Sequence, residues 1–236
     1  MTQKAIPLLV RLAAAEPGDR RIRRTLSLAY LRAGRLLIWN TNRYREALSM
    51  DRKAQQMAAG LTSADPRNTD YRQIAAWADV QSGEALELEG DIAGASGNDE
   101  SGLRQLEALS SADPGNAQFQ ADVALALSQS AVPLAQLGRS AEALRRLDRA
   151  LELIRALPGA NAYSQDPLSI RAISHFRQGN IQERQGHWKQ AADAYRRSQP
   201  EFTALRERGL LYGTWSHLPE DVDRAIARCV ATQARK

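Results

Sequence analysis

The chain has 236 residues, 43% hydrophobic but only 6% aromatic, with a formal net charge of +5 and one cysteine, Cys229. That length allows a substantial buried interior, while a lone cysteine excludes an internal disulfide and any multi-cysteine metal site. The charge excess is mild, because acidic residues are interspersed with the arginines almost everywhere, and no stretch approaches the ~20 apolar residues of a spanning helix. Ala, Leu, Arg and Gln are the commonest residues, all good helix formers, so an all-α chain is expected. At the start, Met1 to Ala15, Arg11 interrupts the apolar run, which predicts an amphipathic helix over 2–15 rather than a signal peptide. A cytoplasmic location is the expectation.

Four turn elements then punctuate the chain: Glu16-Pro17-Gly18-Asp19, Asp65-Pro66-Arg67-Asn68, Asp113-Pro114-Gly115-Asn116 and Pro158-Gly159-Ala160-Asn161. Their prolines lie 49, 48 and 44 residues apart. Proline stops one helix and Asp or Asn caps the next, so each element closes one helix pair and opens another. Between them Gly34, Gly90, Gly138 and Gly186 are expected to end the first helix of each pair in a left-handed cap.

The first pair spans about 19 to 63, with Leu26, Ala29, Tyr30 and Leu31 in its first helix and an expected insertion, Leu36 to Asn42, in which Trp39 packs on the adjoining helices. The second spans 68 to 111. Gly94, Gly97 and Gly102 each disfavour helix by about 1 kcal/mol relative to Ala, so only about 100 to 111 of its second half is expected to be helical. In the third, 116 to 157, Phe119, Val123, Leu127 and Leu134 form one stripe that stays in phase past Pro133. Ser140 can cap its second helix, where Ala143, Leu147, Ala150, Leu151 and Ile154 share a face. The fourth, 167 to 207, is followed by a loop over Gly209–His217 and an amphipathic capping helix over 219–235 that contains Cys229. A single domain, 1–236, is the expected organisation, because stacked pairs bury what no pair buries alone.

Small residues recur at fixed offsets from the inter-helix glycine: Ala143, Leu147 and Ala150 after Gly138, then Ala191, Tyr195 and Ser198 after Gly186, with Gly83, Ala131 and Gly179 seven positions before it. This pattern resembles the tetratricopeptide repeat, with each helix lengthened by almost two turns. The resemblance implies a right-handed superhelical α-solenoid whose concave face is lined by the first helices. More narrowly, Leu26-Ser27-Leu28-Ala29-Tyr30-Leu31-Arg32-Ala33-Gly34, Ser63-Ala64-Asp65-Pro66-Arg67-Asn68 and the tail from Leu205 to Gly209 are similar to the long repeats on the C-terminal side of some bacterial serine/threonine protein kinases. That implies a sensing or docking region; this chain has no glycine-rich phosphate loop and no His-Arg-Asp or Asp-Phe-Gly triplet.

Three scattered histidines, His175, His187 and His217, suggest no metal site, and no nucleophile elbow or dinucleotide fingerprint is present, so neither a catalytic role nor a cofactor is expected. The glycine offsets assign the concave face to Arg21, Arg24 and Leu28, then Trp77, Val80, Glu84 and Glu87, then Leu125, Ser128 and Val132, and finally Phe176, Asn180 and Glu183. Arginines, carboxylates and exposed rings in one groove suit an extended peptide or a partner helix. The alternative is arginine-mediated nucleic-acid binding through Arg20, Arg21, Arg23 and Arg24, disfavoured by the neighbouring Asp19 and by the lack of interleaved aromatics.

Overall fold

A computed structural model describes residues 2–157, 166–211 and 213–235. The fourth turn element, Pro158 to Asn161, and Tyr212 lie outside the described residues. All regular structure among those described is helical. The chain divides into two compact units, Met1–Ala112 and Asp113–Lys236. The division falls at the third turn element, Asp113-Pro114-Gly115-Asn116.

The first unit holds α1 (Thr2–Ala15), α2 (Arg20–Thr41), α3 (Tyr44–Ala64), α4 (Thr69–Glu89) and α5 (Ile92–Ala112). The second holds α6 (Ala117–Gln136), α7 (Ser140–Ala156), α8 (Pro167–Arg184), α9 (Trp188–Glu207), a 3₁₀ turn (Gly213–Trp215) and α10 (Leu218–Gln233). Asx side chains start the first helices. Asp19 accepts from the Arg21 and Ile22 amides, Asn68 from Tyr71, Asn116 from Gln118 and Phe119, and Asp166 from Leu168, which satisfies amides that no helical carbonyl can reach. Ser140 does not cap α7. The turn closing α6 brings the Arg139 amide back to the Leu134 carbonyl at 2.9 Å, so Arg139 occupies the cap position and Ser140 is already helical.

Each first helix packs beside its second: α2 with α3, α4 with α5, α6 with α7, α8 with α9. Second helices also reach the next pair, α3 touching α4 and α7 touching α8, while consecutive first helices meet as α2 with α4 and α6 with α8. At the ends α1 packs on α2, and α10 packs on α9 with Val222, Ala225 and Cys229 buried against Tyr195, Phe202 and Leu205. Cys229 is thus a packing residue, its thiol pushed up by burial.

Two expectations about helix length are corrected. First, α2 does not stop at Gly34 and the stretch Leu36 to Asn42 is no insertion: the helix runs to Thr41. Leu37 and Ile38 continue its stripe into a cluster with Ala47 and Ala85, a burial that outweighs the roughly 1 kcal/mol a helical glycine costs. Trp39 packs on that cluster. The left-handed cap is Asn42, at φ 53°, in line with Gly90 at 93°, Gly138 at 80° and Gly186 at 75°. These four caps are spaced uniformly by 48 residues.

Second, α5 is helical from Ile92 onward despite its glycines. Asp91 caps it by accepting from the Gly94 amide at 2.9 Å, and Ala95, Leu103, Leu106 and Leu109 are buried. Gly102 lets the helices approach: a Cβ there would lie 2.5 Å from Val80 Cγ2 and 2.8 Å from the Ala76 carbonyl oxygen. By contrast, the expected continuation through Pro133 is seen, α6 ending at Gln136.

Candidate functional site

The residues assigned to a binding face lie on the first helices α2, α4, α6 and α8, and each unit presents its own pair of them side by side. In the first unit Arg21 is exposed at the start of α2, whereas Arg24 turns inward to Asp70 of α4 in a two-pronged pair, Nε to Oδ2 at 2.5 Å and Nη2 to Oδ1 at 2.7 Å. That pairing consumes one of the four clustered arginines. Leu28 and Trp77 are half-buried and pack on the cluster formed by Leu26, Tyr30, Ile74 and Ala78. Glu84 accepts from the Trp39 indole N–H at 3.3 Å, tying α2 to α4, and the Arg35 guanidinium lies 5.3 Å from the Trp39 ring centroid. Glu87 is half-buried one turn further along α4.

Val80 is a correction: it is buried and fills the space left by Gly102 rather than lining an open face. Beneath it lies a polar layer that the sequence did not announce. Gln81 donates through Nε2 to the Leu31 carbonyl at 2.7 Å and to Asp51 Oδ1 at 2.8 Å. Asp51 is fully buried, and burial first, then the charge of Glu84, pushes its carboxyl up to about 8.

In the second unit Ser128 is likewise fully buried and belongs to the α6–α8 contact, not to a surface. It accepts from Ser174 Oγ at 2.9 Å and from Arg177 Nη1 at 3.0 Å, while Arg177 Nη2 reaches Gln129 Oε1 at 2.8 Å. The close packing of α6 on α8 encloses this position, which the glycine offsets could not reveal. Phe176 is half-buried against Tyr195 and Phe202, at centroid separations of 5.8 and 6.1 Å, and so completes a core.

Asn180 and Glu183 both accept from the Tyr195 hydroxyl at 2.7 Å. Glu183 also takes Arg228 of α10, at 2.8 and 3.0 Å, and that guanidinium, followed by the Tyr195 hydroxyl, holds its carboxyl below the usual range. Tyr195 is shifted up by burial and then by Glu183. Glu183 therefore fastens the last helix to its neighbours. His175 Nδ1 lies 2.9 Å from Glu201 Oε2, and Glu201 also takes Arg171 at 2.5 Å.

Between α6 and α8 lies a crevice of about 50 Å³, lined by Val132, Ala135 and Ile181 and edged by Arg177, Asn180 and Arg184. Val132 and Asn180 were expected there, and Leu125 is half-exposed on the same helix as Val132. Arg177 and Arg184 were not singled out, although they stand three before and four after Asn180, the spacing of one helical stripe. No cluster of His, Cys, Asp and Glu suited to a metal occurs among the described residues, and no helix among them is long and apolar enough to cross a membrane. The chain matches no protein-family model, and no curated protein matches it.

Proposed function

We propose that the chain is a non-catalytic, tetratricopeptide-like solenoid of the cytoplasm that binds a peptide or partner helix along its first helices. The observation that carries the reading is the side-by-side placement of consecutive first helices, α2 with α4 and α6 with α8. This leaves half-buried Leu28 and Trp77 in one unit and the Val132–Asn180 crevice in the other between paired helices. Such a face offers apolar anchors beside polar groups, the chemistry of helix-in-groove recognition. The sequence likeness to kinase-linked repeats supports a docking role beside a serine/threonine kinase. The nucleic-acid reading is weakened by Arg24, whose charge Asp70 already neutralises.

The test is binding to the cytosolic fraction of the source cells, compared between the native chain and Val132→Lys, with circular dichroism as the folding control. A partner retained by the native chain and lost by the folded variant supports the reading. Equal retention by both overturns it for this face. Salt separates the alternative: phosphate contacts weaken steeply with ionic strength, whereas an apolar groove does not.

A further inference from the structure

We infer that the groove between α1 and α3, closed on one side by α2, is a second docking site, and that its occupant is an acidic amphipathic segment of a protein partner. The groove has a volume of about 400 Å³ and is lined by apolar side chains of all three helices, Val10, Tyr30 and Met57 among them, with Arg23 as the one charged member among the described residues. It uses neither Leu28 nor Trp77 and so is separate from the first-helix face.

Three independent observations converge on this occupant. Arg23 makes no side-chain hydrogen bond or ion pair among the described residues, although the adjacent Arg24 is held by Asp70 at 2.5 Å. Lys53 Nζ lies 5.6 Å from the ring centroid of Tyr30, adding positive charge beside the groove, and no carboxylate lines it. The groove's field thus selects for negative charge, and its wall for apolar side chains.

Gly60 supplies the second observation. It lies within α3, where glycine costs about 1 kcal/mol relative to alanine, yet a Cβ there would meet nothing within 4 Å. Packing within the chain does not require this glycine, and its effect is to keep the groove open. The third is α1 itself, whose Val10 is 41% exposed and lines the same groove together with Ala13 and Ala14. A concave apolar channel between two helices receives the apolar face of a third segment, and Arg23, with Lys53 beside it, places carboxylates along that segment's polar side.

The experiment uses the full chain and two fluorescein-labelled peptides with the same leucine and alanine stripe, one with glutamate and one with lysine at every polar position, read by fluorescence anisotropy. The acidic peptide binds about tenfold or more tightly than the basic one, a preference worth about 1.4 kcal/mol. Arg23→Glu removes that preference. Gly60→Leu fills the groove and abolishes binding while the melting temperature holds or rises, so loss of binding there is not loss of fold. Val132→Lys leaves this binding intact, which separates it from the first-helix face. Failure of the acidic peptide to bind, equal binding of the two peptides, or binding that survives both Arg23→Glu and Gly60→Leu overturns the assignment. Binding to vesicles of phosphatidylcholine and phosphatidylglycerol in preference to the acidic peptide, lost in Arg23→Glu, reassigns the groove to an anionic lipid surface.

Discussion

Residues 51, 99, 147 and 195 are spaced by 48 and occupy the same place in successive second helices, pressed toward a small residue of the first helix, yet the two units fill that place with opposite chemistry. In the first unit it holds a buried carboxyl, Asp51 against Gly34 and Asp99 against Gly83. In the second it holds Leu147 beside Ala131, then the fully buried ring of Tyr195 laid on Gly179. The close approach of helices is common to both; what it buries is not. An apolar plug contributes its transfer free energy to stability, whereas a carboxyl in the same place contributes hydrogen bonds at best and carries a desolvation cost. The second unit should therefore draw more stability from this position than the first.

The largest expected effect tests that directly. Tyr195→Ala leaves a cavity under Phe176 and Phe202 and removes the donor shared by Asn180 and Glu183, and should cost about 3–5 kcal/mol in urea unfolding. Asp51→Ala, at the corresponding place in the first unit and measured at about pH 4, should cost about 1 kcal/mol or less, because the removed group stabilises little when buried. A loss at Asp51 equal to that at Tyr195 breaks the comparison.

The next effect is a pH dependence that Asp51 gives the first unit. With its folded value raised to about 8, Asp51 retains its proton in the native state over a range where the unfolded chain, at about 4, has lost it. The native state then binds more protons, so stability falls as pH rises from about 4 to about 8 and levels off above that, with a limiting slope of about 1.4 kcal/mol per pH unit. Asp51→Asn, which keeps the shape and the contact with Gln81, should flatten that fall and leave the variant more stable than the native chain at pH 9. Denaturation midpoints at pH 5, 7 and 9 read the difference; parallel curves for the two proteins sink the assignment.

How much of this was readable beforehand follows from what each residue type advertises. The Asp-Pro elements announced the helix pairs, because proline and an Asx cap act locally and leave a local signature. The length of α2 was hidden because Gly34, read as a stop, is instead a close-approach residue facing Asp51, while the true cap is Asn42, which the uniform spacing to Gly90 would have disclosed. The candidate face was legible only in part. Leu28, Trp77, Val132 and Asn180 follow from helical stripes, but the pairing of Arg24 with Asp70 joins residues on different helices, and the burial of Val80 and Ser128 depends on a register set by tertiary packing.

The smallest effect distinguishes two glycines on one helix and explains why α5 was underestimated. Glycine lowers helix propensity wherever it stands, but whether the fold uses it depends on what faces it. Gly102 faces Val80 and the Ala76 carbonyl, so Gly102→Ala forces two backbones apart and should destabilise the first unit. Gly97 is exposed and a Cβ there would touch nothing within 4 Å, so Gly97→Ala should raise stability by about 1 kcal/mol, with a matching rise in melting temperature. Opposite signs at positions five residues apart are the signature of a helix held by contact rather than by propensity. If both substitutions were stabilising, the close approach at Gly102 would be absent, and α5 would owe its extent to its own sequence after all.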